Sequence, residues 1–118
     1  MPREPKPLVE LQVLATKGLT HRLYRLCMLA SVDRGPAIRD ALDRMIEGTA
    51  TPPLIKAGRS YGDPKECRIS LRLFRSQYRS LVQIAEHRGV KPCDVLRAAV
   101  TLACERMEKR FEGKVIGA

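Results

Sequence analysis

The eight residues Cys67-Arg-Ile-Ser-Leu-Arg-Leu-Phe74 set the problem that the rest of the chain has to solve. Ile69, Leu71 and Leu73 alternate with Arg68, Ser70 and Arg72. That is the period of two of a half-buried strand, with one aliphatic face and one face of guanidinium and hydroxyl groups. Such a strand is not stable alone; it needs a partner strand and a cover. No second strand follows nearby. A helical pattern begins at once with Tyr78, Leu81, Val82, Ile84 and Ala85. After a break at Gly89-Val-Lys-Pro92, with Pro92 suited to a first helical position, a longer one runs through Val95, Leu96, Ala99, Val100, Leu102, Ala103 and Met107 to about Arg110. The partner must come from far away in sequence.

The first half of the chain supplies it. Leu11, Val13 and Ala15 alternate with Glu10, Gln12 and Leu14, and helical spacing follows through Leu19, Leu23, Leu26, Cys27 and Ala30. The stretch Ser31 to Pro36 reads as a break, with Asp33 as N-cap of a second helix that carries Ile38, Ala41, Leu42, Met45 and Ile46 and ends at Gly48. An offset of 58 residues lays this half on the other without a gap. Only five of the 38 pairs from Glu10 to Glu47 are identical, Leu23/Leu81, Val32/Val90, Arg39/Arg97, Ala41/Ala99 and Glu47/Glu105. The force of the match is that strand faces, helix faces and break points all stay in phase.

The fold expected is mainly α with a two-stranded antiparallel ribbon, a duplicated strand-helix-helix unit folded as a single-chain pseudo-dimer. Copy one spans 8–48, a Pro- and Gly-rich connector 49–66, and copy two 67–110, as one pseudo-twofold domain. Leu54 and Ile55 could tack the connector to the core. Residues 1–7 and 113–118 are expected to be flexible ends.

Composition narrows the partner. Hydrophobic residues make up 44%, enough for a core, but aromatics only 4% with no Trp. That argues against single-strand modules that stack bases on exposed rings. The formal charge of +9 suits a polyanion, nucleic acid or membrane surface. It is uneven: residues 1–50 hold 8 Lys/Arg against 6 Asp/Glu, residues 51–118 hold 14 against 7. No apolar run reaches the ~20 residues of a membrane span. Cys27, Cys67, Cys93 and Cys104 form no Cys-x-x-Cys pair, and His21 and His87 lack zinc-ligand spacing, so reduced cysteines, no metal, no cofactor and a cytoplasmic setting are expected.

If the two strands pair with their aliphatic faces inward, the outward face shows Glu10, Gln12 and Leu14 beside Arg68, Ser70 and Arg72. A two-stranded ribbon fits the major groove of B-DNA, where Arg forks onto guanine and Gln onto adenine. Gln12, Arg68, Ser70 and Arg72 are the candidate base readers. Lys17, Arg34, Arg75, Lys91 and Cys93, at or near helix starts, are the candidate phosphate contacts. Arg39 and Arg97 recur in both copies and suit structural salt bridges.

The segment Gly89-Val-Lys-Pro-Cys-Asp-Val-Leu-Arg-Ala-Ala-Val100 resembles the turn and second-helix signature of the ribbon-helix-helix family of DNA-binding proteins. That resemblance implies that the helix start, at Lys91 to Asp94 and at Asp33 to Pro36 in copy one, presents backbone N–H groups to a DNA phosphate. This chain departs from the family in having Lys91 at the usual Ser/Thr cap, Pro36 without an N–H, and Leu14 and Glu10 on the outward face, so copy two is expected to dominate affinity. Two fused units with a basic balance are similar to accessory factors of DNA transfer acting in a relaxosome or at T-DNA borders. The expected partner is double-stranded DNA, with other transfer proteins as further partners, no membrane, and a monomeric chain. An enzyme is not expected, because no nucleophile has a matched base and no carboxylate pair shares a site. The rival readings are a transcriptional repressor and an antitoxin-type protein-interaction module.

Overall fold

The computed structural model describes residues 8–48 and 65–116, with side chains from Cys67 to Phe111 in the second segment. The element order is β1 (Leu8–Thr16), α1 (Lys17–Ala30), α2 (Arg34–Glu47), β2 (Lys65–Phe74), α3 (Arg75–Arg88) and α4 (Pro92–Ile116). The strand-helix-helix unit therefore occurs twice, and β1 and β2 pair antiparallel as the one sheet of the described residues. No helix among them is long and apolar enough to cross a membrane.

The register explains why the two units close on each other. Leu11 pairs with Leu71, Val13 with Ile69 and Val9 with Leu73, so both aliphatic faces lie on one side of the ribbon. Val13, Ala15, Ile69, Leu71 and Leu73 are buried there, and Leu11 is half-buried. They join Leu23 of α1, Ile38 and Leu42 of α2, Leu81 of α3 and Val95 and Val100 of α4 in one cluster drawn from all six elements. Each buried Val, Leu or Ile stabilises by about 1.5–3 kcal/mol. Gln12 faces Ser70, its own counterpart at the offset of 58, so the pseudo-twofold axis passes between these two residues.

Three boundaries differ from the sequence expectation. β2 begins at Lys65, two residues inside the expected connector, while Leu54 and Ile55 lie outside the described residues. α2 begins at Arg34, directly after the expected N-cap Asp33, so the break expected over Ser31 to Pro36 ends three residues earlier. Pro36 stands in the first turn, where no intrahelical N–H bond is required of it. Only Ser31 to Asp33 separate α1 from α2, and Asp33 is the N-cap residue, although its carboxylate makes no capping bond. α4 continues through Gly113 to Ile116. A lone glycine weakens a helix by about 1 kcal/mol without ending it. The expected flexible end at 113–118 is thus helical as far as Ile116, and residues 1–7 lie outside the described residues.

The turns between helices repeat bond for bond. Ser31 N–H donates to Met28 O at 3.3 Å and Val32 N–H to Cys27 O at 3.0 Å. Gly89 N–H donates to Glu86 O at 3.3 Å and Val90 N–H to Ala85 O at 3.0 Å. The pivotal residue is left-handed in both copies, Ser31 at φ 57° and Gly89 at φ 68°. A residue with a Cβ is disfavoured in that conformation by roughly 1–2 kcal/mol, and glycine is not. Gly89→Ala is therefore expected to lower unfolding free energy by about 1 kcal/mol. Ser31→Gly should raise it by a smaller amount, because glycine also gives freedom to the unfolded chain. Paired denaturant melts check both signs; the same sign for both would contradict the equivalence of the turns.

Candidate nucleic-acid interface

The side of the ribbon turned away from the core is polar. Glu10, Gln12, Arg68 and Arg72 are exposed, Ser70 is half-exposed and Leu14 is 44% exposed. Strand alternation places all six on one face because their neighbours are pinned in the core. Ser70 Oγ and Gln12 Nε2 stand 3.5 Å apart at the axis, and Arg68 Nη1 lies 3.5 Å from Gln12 Oε1. The four candidate base readers are thus brought together. Arg72 stands opposite Glu10, whereas Arg68 stands opposite Leu14.

The candidate phosphate contacts flank this face in two sets. Lys17 and Arg75, equivalent at the offset of 58, are the first residues of α1 and α3, directly after the strands, and both are exposed. Arg34, Lys91 and Cys93 stand at the starts of α2 and α4. Arg34 is half-buried and tied to the neighbouring elements: its Nε donates to Ser70 O at 3.1 Å and its guanidinium lies 5.4 Å from the Tyr24 ring centre. An open recess of about 400 Å³ separates the start of α2 from β2, lined by Asp33, Arg34, Gly35, Arg39, Ser70 and Arg72 among others.

The two helix starts are not alike. At α4 the Lys91 N–H donates to Asp94 Oδ2 at 3.0 Å, and the Asp94 N–H donates to Lys91 O at 2.9 Å. With Pro92 lacking an N–H, only Cys93 of these four residues brings an amide that neither bond occupies. In the turn expected to offer several N–H groups to a phosphate, one amide is taken by the Asp94 carboxylate and another by the Lys91 main-chain oxygen, which leaves the exposed Lys91 ammonium as its outward charge. At α2 the position equivalent to Asp94 is Pro36, so copy one has no such internal acceptor.

Of the two repeated arginines, Arg97 forms the expected salt bridge, whereas Arg39 bonds a main-chain oxygen instead. Arg97 does pair with Asp94, Nη1 to Oδ1 at 2.9 Å, and the Asp94 side chain is 1% exposed. Its Nε also donates to Leu14 O at 2.8 Å. Arg39 Nη1 donates to Arg72 O at 2.9 Å and stacks 5.3 Å from the Phe74 ring centre. Leu14 and Arg72 are equivalent at the offset of 58, as are Arg39 and Arg97. Each second helix thus holds the strand of the other copy by the main-chain oxygen of an outward-facing residue. Identity between copies was the one sequence signal of this, and it does not reveal a backbone acceptor.

Two further contacts fasten the copies. Buried Gln77 at the start of α3 accepts from the Phe74 N–H at 3.0 Å and donates to Asp43 of α2 at 2.8 Å. Arg22 of α1 donates to Glu108 of α4, with Nε to Oε2 at 2.8 Å. That bond holds the Glu108 carboxyl below, and the Arg22 guanidinium above, their ordinary pKa values. Burial raises the thiol pKa of Cys104, to about 11, and of Cys27; all four cysteines are free.

Removing Arg97 leaves the buried Asp94 carboxylate without its cation, which costs about 3–5 kcal/mol for a buried pair. Arg39 makes a more exposed bond to a neutral carbonyl, worth no more than about 1.5–3 kcal/mol, the range for a bond with one charged partner. Arg97→Ala is therefore expected to destabilise clearly more than Arg39→Ala in parallel urea melts, and equal losses would contradict the assigned role of Asp94. Compared with protein-family models, with curated proteins and with solved structures, the chain matches none.

Proposed function

We propose that this chain is a double-stranded DNA-binding protein of the ribbon-helix-helix type, which inserts its two-stranded ribbon into the major groove. The observation that carries the reading is the outward ribbon face, with Arg68, Arg72, Gln12 and Ser70 on one exposed surface over a buried aliphatic face. Such a ribbon has the width the groove admits, and its side chains have the donors and acceptors that base edges require. Lys17 and Arg75 beside the ribbon, and Lys91, Arg34 and Cys93 at the helix starts, supply charge and amides for the phosphates on either side. The recess between α2 and β2, lined by Arg34, Gly35 and Arg39, gives a phosphate oxygen room beside the start of α2.

The role proposed is that of an accessory factor in DNA transfer. A fused pair with unequal copies suits a site with polarity, whereas a repressor built from identical units suits a palindrome. A second reading, as a protein-interaction module of antitoxin or adaptor type, has one observation of its own. On α1, Met28 is 80% and Leu29 61% exposed, where α3 carries Glu86 and His87. Exposed apolar side chains in a group mark contact surfaces.

A titration on duplex DNA across salt concentrations separates the readings. The expected result is a monomeric protein by light scattering, whose affinity falls steeply as salt rises. Lys91→Ala should weaken all sequences alike and lower the salt slope by about one. Arg68→Ala and Arg72→Ala should weaken binding and relax preference at one or two base pairs. Absence of salt-sensitive duplex binding would leave the interaction module as the surviving reading, and no loss in the double arginine variant would remove the ribbon from the DNA interface.

A further inference from the structure

The ribbon has two chemically different ends. The pairing sets Arg68 beside Leu14 at one end and Arg72 beside Glu10 at the other, with Gln12 and Ser70 between them on the axis. In a symmetric pair each residue at one end would have its twin at the other. Here the twin of Arg68 is Glu10 and the twin of Arg72 is Leu14.

Each end has its own base preference. Arg68 can fork onto guanine O6 and N7, and Leu14, 44% exposed on the same face, offers an apolar surface to the methyl group of a neighbouring thymine. At the other end Arg72 can take guanine in the same way, while the Glu10 carboxylate accepts from the cytosine amino group. A carboxylate there repels phosphate and accepts nothing from thymine, whose major-groove edge has only an acceptor and a methyl. It also opposes part of the charge by which Arg72 would attract any sequence, whereas no acid stands opposite Arg68 in the ribbon. Arg68 is therefore the stronger general attractor, and the Glu10 end is the more selective.

We infer that the duplex site of this protein is non-palindromic, with guanine and thymine under the Arg68–Leu14 end and a guanine–cytosine pair under the Arg72–Glu10 end. This rests on the proposal that the ribbon enters the major groove, and it adds the class of sequence that the ribbon selects.

The test is selection from a randomised duplex library with the full chain, followed by titration on the enriched duplex. The expected outcome is a motif lacking twofold symmetry. Replacing the thymine under Leu14 by deoxyuridine removes only the methyl group and should weaken binding about four-fold, the value of one buried methyl. The same replacement should have no effect on Leu14→Ala, and because it alters the DNA it is independent of protein folding. Arg68→Ala should lose roughly 5- to 150-fold on the enriched duplex. Glu10→Arg with Leu14→Arg, which repeats the β2 arginines on β1, should shift selection towards palindromes. A palindromic motif for the unaltered chain, or indifference to every thymine methyl, would overturn the inference while leaving DNA binding intact. Salt-sensitive binding without enrichment would overturn it in the same way. Failure to bind any duplex would overturn the proposed function and this inference with it.

Discussion

Everything in this fold depends on the pairing of β1 with β2. Each strand has one aliphatic face and one polar face, and neither has another strand to pair with among the described residues. Pairing satisfies the backbone of both and joins two narrow apolar faces into one floor wide enough for four helices. The same register that sets Val13 against Ile69 and Leu11 against Leu71 sends Gln12, Ser70, Arg68 and Arg72 to the opposite side. A slip of one residue would bury the arginines and expose the core, so packing and the recognition face are fixed by one constraint.

The four helices do not merely cover the ribbon. Arg39 reaches from α2 to the carbonyl of Arg72, and Arg97 from α4 to the carbonyl of Leu14, so each helix pair grips the strand of the other copy. Gln77 adds a third crossing, from the first turn of α3 to Asp43. Neither half could keep these bonds without the other. The outward-facing residues are thereby held at their main chain, which leaves their side chains free while fixing where each begins.

Much of this was legible in the sequence because alternation and helical spacing are read directly from residue type. Leu71, Val13, Ile38 and Val100 lie where the periodicity assigns them, and the antiparallel pairing of distant strands follows from the lack of a local partner for residues 67–74. The offset of 58 even carries over to the left-handed residues Ser31 and Gly89, although one of them is not glycine. What was not legible depends on where side chains reach. A repeated arginine says nothing of whether its acceptor is a carboxylate or a main-chain oxygen. The acid that satisfies the start of α4 is visible as Asp94, yet its bond to the Lys91 amide appears only when the turn is built. The start of α2 was legible from Asp33 as its N-cap, and Gly35 and Pro36 fall in the first helical turn, which accommodates them.

The central pair of the ribbon has a consequence for how such a chain can change. In an assembly of two identical chains, the residue on the symmetry axis must meet a copy of itself, so any replacement there alters both partners together. A residue must then be self-complementary or turn away. Joining the two copies in one polypeptide lifts that condition. An amide can sit beside a hydroxyl, as Gln12 does beside Ser70, and either can be replaced alone. The middle of the ribbon, the most restricted position in a symmetric assembly, becomes open to stepwise and independent substitution.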